Sequence, residues 1–268
     1  MKLEDLKNLE EIKLNSLIQG ECLEVMKFIR DKSIDMILCD LPYGTTSCKW
    51  DSIIPFDLLW KQYKRIIKDN GAIVLFGLEP FSSHLRLSNL EWYKYDWIWE
   101  KTKVLNFFNA KNKPMNKHEI ISVFSEGTCA NGSNNLMKYF PQNLIKINKL
   151  TKGKRTGSDD HRFYRENHPN TRIQEFTNYP HSILKFASEG NTIHPTQKPV
   201  ELFEYLIKTY TSETELVLDN CSGSGTTAIA CLNTNRNFIC IEKDLKYFNK
   251  SQERIQKHQN ILENRLDI

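Results

Sequence analysis

Short apolar runs alternate with amphipathic stretches along most of the chain. The apolar runs predict buried strands at residues 14–18, 33–39, 72–76, 92–100, 120–124, 215–219 and 238–241. The amphipathic stretches predict helices at residues 23–29, 56–67, 200–210 and 228–232, and from about residue 245 onwards. The helix that begins at residue 56 is expected to end at Asn70-Gly71, a common C-terminal cap. Strands that alternate with helices in this way favour a mostly parallel α/β sheet.

Residues 127–190 interrupt this pattern. They are polar, basic and rich in turn residues, with no clear helical or strand period, so we expect an insertion with irregular structure of its own. From Leu144 to Lys185 nine Lys and Arg residues stand against four acids, a net charge of +5, whereas the whole chain carries +4. This excess favours a polyanionic partner, although a solvated loop can have the same composition.

Composition narrows the class of protein. Forty per cent of the 268 residues are apolar, which is enough for one sizeable core. No apolar run approaches the roughly 18 residues of a membrane helix, and the charged N-terminal stretch lacks the apolar segment of a signal peptide. The seven cysteines are odd in number and contain no C-x-x-C pair. We therefore expect a cytoplasmic protein with reduced cysteines and without a disulfide framework or a zinc site.

The stretch Cys39-Asp40-Leu41-Pro42-Tyr43-Gly44 directly follows the second predicted strand. In open α/β sheets the carboxyl ends of the strands are where ligands bind. Pro42 stiffens the backbone and biases Leu41 towards an extended conformation, so the Leu41 carbonyl is expected beside the Asp40 carboxylate. Two acceptors and the flat ring of Tyr43 suit the exocyclic amino group of a planar base. Taken in isolation, such a motif is more often a turn with a packed tyrosine.

A glycine-rich stretch, Gly223-Ser224-Gly225-Thr226-Thr227, lies between a predicted strand and a predicted helix. Its glycines let the backbone approach a ligand closely, and the helix N-terminus follows at once. Glu242 ends the next strand and suits ribose hydroxyls. The spacing also fits the G-x-G-x-x-A of an NAD site, but only one helix follows Glu242. The remaining strands must come from the N-terminal half, where Glu21 and Asp40 follow the first two strands, so the order of parts is circularly shifted.

Together these stretches resemble the permuted, or β, class of DNA amino-methyltransferases. The matching segments follow one another in order outside residues 127–190: DLPY (40–43), NGAIVLFG (70–77), NAKNKPMNKHEIISVF (109–124), HPTQKP (194–199), LDNCSGSGTTAIA (218–230) and ICIEKD (239–244). The resemblance implies a Rossmann-like methyltransferase fold with a circularly permuted, mostly parallel sheet. It assigns residues 1–126 and 191–268 to catalysis and S-adenosylmethionine binding, and residues 127–190 to target recognition.

The chain departs from the family pattern at three places. Leu41 replaces the first proline of the family motif, Asn220-Cys221-Ser222 replaces the usual Pro-Phe-Cys, and Glu21 stands where an aspartate is often found. The implied contact at position 41 is a backbone carbonyl, so this replacement removes no required side chain. The longer side chain of Glu21 is expected to change slightly how it meets the cofactor adenine.

The resemblance implies transfer of a methyl group from S-adenosylmethionine to N6 of an adenine flipped out of double-stranded DNA. Asp40 and the Leu41 carbonyl would accept the amino hydrogens, and Tyr43, after the stiff Pro42, would stack on the base. Aspartate at position 40 favours adenine, because N4-cytosine enzymes more often carry serine there. Three alternatives stay open: N4-cytosine methylation, an inactive DNA-binding protein of the same fold, and methylation of RNA or of a protein glutamine.

The resemblance also implies sets of contact residues. The implied cofactor site comprises Glu21, Cys22, Asp40, Lys198, Asp219, Cys221, Ser222, Gly223, Ser224, Gly225, Thr226, Thr227, Glu242 and Lys243. The implied DNA contacts are Phe107 and Phe108 at the border of the flipped base and, in the basic segment, Lys152, Lys154, Arg155, Arg162, Arg165 and Arg172. We expect a stand-alone methylase without a metal ion or a nuclease domain, and a homodimer is the common state in the family.

Overall fold

A computed structural model describes residues 1–7, 11–44, 51–152, 171–190 and 192–266. It divides into two compact units, Met1–Phe140 with Ser182–Ile268, and Pro141–His181. The strands are β1 Ser16–Gln19, β2 Ile34–Cys39, β3 Ile67–Gly77, β4 Tyr93–Leu105, β5 Asn116–Phe124, β6 Ile145–Lys152, β7 Thr171–Thr177, β8 Ile183–Lys185, β9 Leu216–Asp219 and β10 Asn237–Glu242. The helices are α1 Leu3–Leu6, α2 Cys22–Met26, α3 Phe56–Ile66, α4 Phe81–Leu87, α5 Val200–Tyr210, α6 Thr226–Asn233 and α7 Leu245–Leu266.

The larger unit is built on an eight-stranded sheet with the strand order β1-β10-β9-β2-β3-β5-β4-β8. The first five of these strands run parallel to one another. β5 is antiparallel to both of its neighbours, β3 and β4, and β8 pairs parallel with β4. Because β1 lies beside β10, the first and the last strand of the chain are neighbours. The predicted α/β fold with a circularly shifted, mostly parallel sheet is confirmed.

The central strands are buried on both faces, which explains why they are continuous apolar runs in the sequence. On one face, Ile37 of β2 belongs to the cluster that contains Tyr63 of α3. On the other face, Met36 of β2 belongs to the cluster that contains Leu206 of α5 and Ala230 of α6. Helices on both sides therefore exclude water from the parallel strands and leave their carboxyl ends as the open edge.

Four adjacent parallel strands end side by side at that edge. Gln19 of β1 is paired with Glu242 of β10, and Cys240 of β10 with Asp219 of β9. β9 is in turn paired with β2, whose last residue precedes Asp40. Because the strands are parallel, the residues that follow them share one edge of the sheet.

The predicted end of the first long helix is wrong. α3 ends at Ile66, and Ile67 is already extended (φ −73°, ψ 141°) and paired with Ile34 as the first residue of β3. Gly71 thus lies within a strand. A β-carbon at this position would lie 2.8 Å from the Asp35 carbonyl oxygen, so the glycine permits a close approach of two strands, and its role is not that of a helix cap.

The expectation of irregular structure in residues 127–190 is also wrong in part. β6 and β7 form an antiparallel pair within the smaller unit, from Ile145 opposite Thr177 to Lys152 opposite Thr171. The sequence of these two strands shows no clear alternation of apolar and polar residues, because apolar residues such as Leu150 and Ile173 are exposed among lysines. The smaller unit, residues 141–181, lies inside the predicted insertion. Among the residues described, no helix is long and apolar enough to cross a membrane.

Candidate active site

A cleft of about 1040 Å³ opens at the carboxyl edge of the large sheet. Residues that follow or end its four adjacent parallel strands line this carboxyl-edge cleft, namely Glu21 after β1, Asp40 after β2, Asp219 of β9 and Glu242 of β10. The two motifs singled out in the sequence, around Asp40 and around Gly223, therefore face the same space.

The Asp40 carboxylate is held by two side chains. Its Oδ1 accepts a hydrogen bond of 2.5 Å from the Tyr43 hydroxyl, and its Oδ2 accepts one of 2.6 Å from Lys198 Nζ. The ring of Tyr43 packs against Phe81, with 5.0 Å between the ring centroids. Leu41 is buried in the core cluster that contains Phe81 and also lines the cleft. The Asp40 carboxylate and the Tyr43 ring are therefore fixed in one corner.

Behind Asp40 lies a buried row of alternating charges. Lys198 Nζ lies 3.2 Å from Glu119 Oε2 as well as against Asp40, and Lys101 donates a hydrogen bond to Glu119 Oε1. The side chain of Lys198 is only 6% exposed and that of Glu119 only 7%. Buried charges are tolerated when each has an opposite neighbour, which this row provides.

Burial and this row of charges set the protonation states of Asp40, Lys198 and Tyr43. Burial raises the pKa of Asp40 above its usual value, and the cation of Lys198 opposes that shift. Burial alone would lower the pKa of Lys198, but the carboxylates of Asp40 and Glu119 raise it. Burial also raises the pKa of Tyr43 well above its usual value, and the Asp40 charge adds to the shift. Lys198 thus remains a cation and Tyr43 a neutral phenol.

The glycine loop takes a backbone conformation that favours glycine at two places. Gly223 has φ +50° and Gly225 has φ +73°. A β-carbon at Gly225 would lie 2.4 Å from Ser251 Oγ of α7, so the space allows no side chain there. Arg254 of α7 donates a hydrogen bond of 3.0 Å to the Ser224 carbonyl. The loop is therefore fixed from behind while its front faces the cleft.

Two acids at this end of the cleft have raised pKa values. Burial raises the pKa of Glu242 to about 7, although its carboxylate accepts hydrogen bonds from the amides of Asp244 and Gly223 at 2.7 and 2.8 Å. Burial likewise raises the pKa of Asp219 to about 6, against hydrogen bonds from the Thr227 hydroxyl and the Cys221 amide. Both carboxyl groups are thus poorly solvated acceptors beside the glycine loop.

A match to a family profile identifies the family of the chain. The profile of the N6/N4 methyltransferase family, described as DNA methylase, matches residues 34–253. The chain belongs to this DNA methylase family. The matched range includes both the Asp40 corner and the glycine loop, and the resemblance inferred from the motifs is confirmed.

Individual relatives span nearly the whole methylase. It is 28% identical over 275 residues to the type II methyltransferase M2.MboI of Moraxella bovis, covering 93% of this chain and 90% of that protein. It is 27% identical over 277 residues to the type II methyltransferase M.HinfI of Haemophilus influenzae, covering 91% and 69%.

Solved structures share the fold. The complex of M1.HpyAVI with SAM has a TM-score of 0.58 at 23% identity and covers 90% of this chain and 98% of that one. The cytosine-N4-specific PvuII DNA methyltransferase has a TM-score of 0.64 at 15% identity and covers 93% of each chain. The methyltransferase fold expected from the sequence is confirmed.

The cleft of the methylase fits the cofactor that the family uses. Its volume is that of a cofactor site, and Gly223 presents backbone without a side chain to it. Ser222 Oγ is buried at the wall of the cleft and has no hydrogen-bond partner among the residues described. A buried hydroxyl of this kind suits a polar ligand such as S-adenosylmethionine. No described group of His, Cys, Asp and Glu side chains has the arrangement of a metal site.

The structure brings most of the predicted cofactor-site residues together. Those that line the cleft are Glu21, Cys22, Asp40, Lys198, Asp219, Cys221, Ser222, Gly223, Ser224, Thr226, Glu242 and Lys243. Gly225 and Thr227 do not line it, since Gly225 packs against α7 and the Thr227 hydroxyl donates to Asp219. Leu41, Pro42 and Tyr43 line it beside Asp40.

Only two of the predicted DNA contacts have side chains that the structure describes. Phe107 and Phe108 do not line the cleft and are exposed at the end of the β4–β5 hairpin. Lys152 and Arg172 belong to β6 and β7, but the positions of their side chains are not described. The other four predicted contacts lie outside the described residues, namely Lys154, Arg155, Arg162 and Arg165.

Sequence reasoning missed several residues of the site. Lys101 and Glu119 line the cleft, and a signal for both was present. Along β4 and β5 side chains alternate between faces, so Lys101 continues the buried face of Trp99, and Glu119 that of Ile121. A charged residue on a core face requires a buried partner. Asn220 was seen only as a departure from the family, and the Tyr63 hydroxyl donates to its Oδ1 at 2.5 Å.

Proposed function

We propose that this DNA methylase transfers a methyl group from S-adenosylmethionine to the N6 amino group of an adenine in double-stranded DNA. The observation that carries the proposal is the Asp40 carboxylate, fixed at the cleft wall by Tyr43 and Lys198 and followed by Leu41. The corner offers acceptors for the hydrogens of an exocyclic amino group, and the cofactor residues line the same cleft.

The cofactor is S-adenosylmethionine, which supplies an electrophilic methyl group when it is bound. With the cofactor bound, Glu242 would accept the ribose hydroxyls, and Glu21 would lie on the adenine side. Asp219, Gly223 and Thr226 would line the methionine side. The raised pKa of Glu242, about 7, reflects a carboxyl group that water solvates poorly and that gains from hydroxyl donors.

Asp40 and the Leu41 carbonyl accept the two hydrogens of the amino group. Each carboxylate oxygen has two acceptor positions, so Asp40 can keep its bonds to Tyr43 and Lys198 while it accepts a further donor. These contacts turn the nitrogen lone pair out of conjugation with the ring and aim it at the methyl group. Most of the rate enhancement comes from this positioning and from the fixed negative charge beside the reacting nitrogen.

Lys198 is a positioning residue for this chemistry. Its ammonium group holds one oxygen of Asp40, and Glu119 holds the ammonium group from the other side. The lysine therefore keeps Asp40 in one orientation and favours its ionised form. Asp40 does not need to remove the amino proton before methyl transfer, since a nitrogen that has gained a methyl group loses its proton readily.

The base must leave the duplex to reach this corner, because its amino group is otherwise paired inside the helix. Residues 127–190 recognise the target, and the net charge of the segment 144–185 supplies phosphate contacts. Residues 1–126 and 191–268 carry catalysis and cofactor binding. A homodimer is the expected assembly.

N4-cytosine methylation is the second candidate activity. The PvuII enzyme of the same fold is described as cytosine-N4-specific, and cytosine presents an equivalent amino group. Adenine is favoured because position 40 is an aspartate, where N4-cytosine enzymes more often have serine.

Nucleoside mass spectrometry distinguishes the two. The purified protein is incubated with S-adenosylmethionine and unmethylated duplex DNA, and the DNA is digested to nucleosides. We expect N6-methyladenine. N4-methylcytosine would overturn the choice of base and keep the mechanism, whereas the absence of both products from a protein that binds the cofactor would contradict the proposed activity.

A further inference from the structure

The β4–β5 hairpin ends in a turn that holds two phenylalanine rings in solvent. Phe107 is 75% exposed and Phe108 is 100% exposed. They lie on a short 3₁₀ turn that follows Asn106, whose φ of 68° is left-handed, and the Ala110 amide closes the turn with a 3.0 Å bond to the Phe107 carbonyl. Adjacent apolar rings presented by an ordered turn are typical of a binding surface. We call residues 106–115 the aromatic tip.

The charge around the aromatic tip has one sign. Residues 101–117 contain five lysines and no acid. Lys101 and Lys117 form ion pairs with glutamates of the same hairpin. The lysines for which the described residues provide no ion pair are Lys103, Lys111 and Lys113. This excess charge favours a polyanion and opposes the docking of one such tip on the tip of a second copy.

The aromatic tip continues directly from the rim of the cleft. Lys101 and Lys103 of β4 line the cleft, and Phe107 follows Lys103 by four residues. Since a strand advances about 3.3 Å per residue, the α-carbon of Phe107 lies within about 13 Å of that of Lys103. A duplex that crosses this part of the rim when it delivers a base into the cleft comes within reach of the rings.

We propose that Phe107 and Phe108 form a wedge that inserts into the DNA stack beside the flipped base, while the lysines of the hairpin bind the phosphates. The inference rests on the proposed function and moves the two rings from the border of the base in the cleft to the duplex. Extrusion of a base leaves a gap in the stack, and apolar side chains inserted at a base step compensate for the lost stacking.

The test compares the wild-type protein with the double variant Phe107→Ala, Phe108→Ala on two duplexes. Both duplexes carry a site found by sequencing methylated DNA, and one has an abasic position opposite the target base, which makes flipping easy. We expect kcat/KM on the paired duplex to fall by about tenfold or more, and on the abasic duplex by less than about threefold. Cofactor affinity stays unchanged. The control Leu87→Ala removes another exposed apolar side chain, 66% exposed on α4, and changes neither rate.

Equal losses of kcat/KM on the two duplexes, or no loss on the paired duplex, would refute the proposal of a wedge. A change in oligomeric state on light scattering would assign the tip to a contact between copies and would overturn it too. If the wild-type protein methylates no DNA, the proposed function fails, and the wedge is then judged by fluorescence anisotropy with a fully paired duplex of mixed sequence. In that case, affinity reduced about tenfold in the double variant supports the wedge, and equal affinity refutes it.

Discussion

The protonation of Asp40 depends on the cation beside it. Burial raises the pKa of this carboxyl group, and the Lys198 ammonium group at 2.6 Å opposes the rise. Only the ionised carboxylate accepts both its present donors and a base amino group. Lys198 therefore extends the pH range in which Asp40 is active, although it touches neither cofactor nor base in the proposed mechanism.

Replacement of this cation shifts the pH profile. In Lys198→Met the pKa of Asp40 rises further, so the protonated, inactive form persists to higher pH. We expect the acid limb of kcat to move to higher pH. Single-turnover rates between about pH 5 and 9 measure this shift. The matched control Lys198→Arg keeps the cation and most of the wild-type profile, and an unmoved limb in Lys198→Met would refute the role of the lysine.

Glu242 predicts a pH dependence for cofactor binding. Its pKa of about 7 in the free protein means that lowering the pH through neutrality protonates an acceptor that ribose hydroxyls need. We expect affinity for S-adenosylmethionine to fall as the pH drops below about 7, by up to about tenfold per unit. Glu242→Gln binds more weakly and shows no such fall. Calorimetry at several pH values tests this, and a flat wild-type profile would contradict it.

At the scale of elements, one buried aspartate joins the strand that precedes Asp40 to the strand that precedes the glycine loop. Asp35 of β2 is 2% exposed. It accepts hydrogen bonds from Lys68 at 2.7 Å, Lys138 at 3.0 Å and the Leu216 amide of β9 at 3.1 Å. Burial would raise the pKa of Asp35, but these donors hold it below its usual value. Its contribution to stability is therefore present above about pH 4 and is lost as the pH falls further.

Removal of this carboxylate is expected to weaken the fold. Asp35→Ala leaves the Leu216 amide without its acceptor and leaves Lys138 with Glu215 alone, so the free energy of unfolding falls by about 3 kcal/mol near pH 7. Urea denaturation measures the loss. The control Lys68→Ala removes a partner whose side chain is 41% exposed, and it costs less than about 1 kcal/mol. A loss below that value in Asp35→Ala would show that the bridge between β2 and β9 contributes little.

Several helices and strands were predicted correctly from the sequence, and each incorrect prediction has a local cause. The helix at residues 200–210 has the bounds expected, because its apolar face and its flanking proline are unambiguous. α3 ends before the predicted cap because Ile67 is recruited to pair with Ile34, a tertiary contact that Asn70-Gly71 does not reveal. β6 and β7 were missed because exposed apolar residues hide their period.

At the scale of the whole molecule, the circular order of parts explains how distant segments form one site. β1 beside β10 and β2 beside β9 bring the two ends of the chain to one sheet edge. Motif order predicted this arrangement, and with it the family, the fold and the cofactor. The charged row from Lys101 to Asp40 was not predicted, because it depends on strands and a loop that are far apart in sequence.

The basic segment predicts that DNA binding depends strongly on salt. With about five phosphate contacts from residues 144–185, affinity is expected to fall at least about a hundredfold between roughly 50 and 200 mM salt. Fluorescence anisotropy over this range gives the slope. Arg155→Gln reduces the slope by about one if that arginine contacts a phosphate. A flat dependence in the wild-type protein would remove this segment from the interface.

In the proposed mechanism Asp40 acts on the base, while a separate part of the same cleft holds the cofactor. The most direct test measures methyl transfer to DNA and calorimetric binding of S-adenosylmethionine for the wild-type protein and Asp40→Ala. We expect turnover to fall by about a thousandfold or more and cofactor affinity to stay within about threefold. Retained turnover in Asp40→Ala would contradict the account.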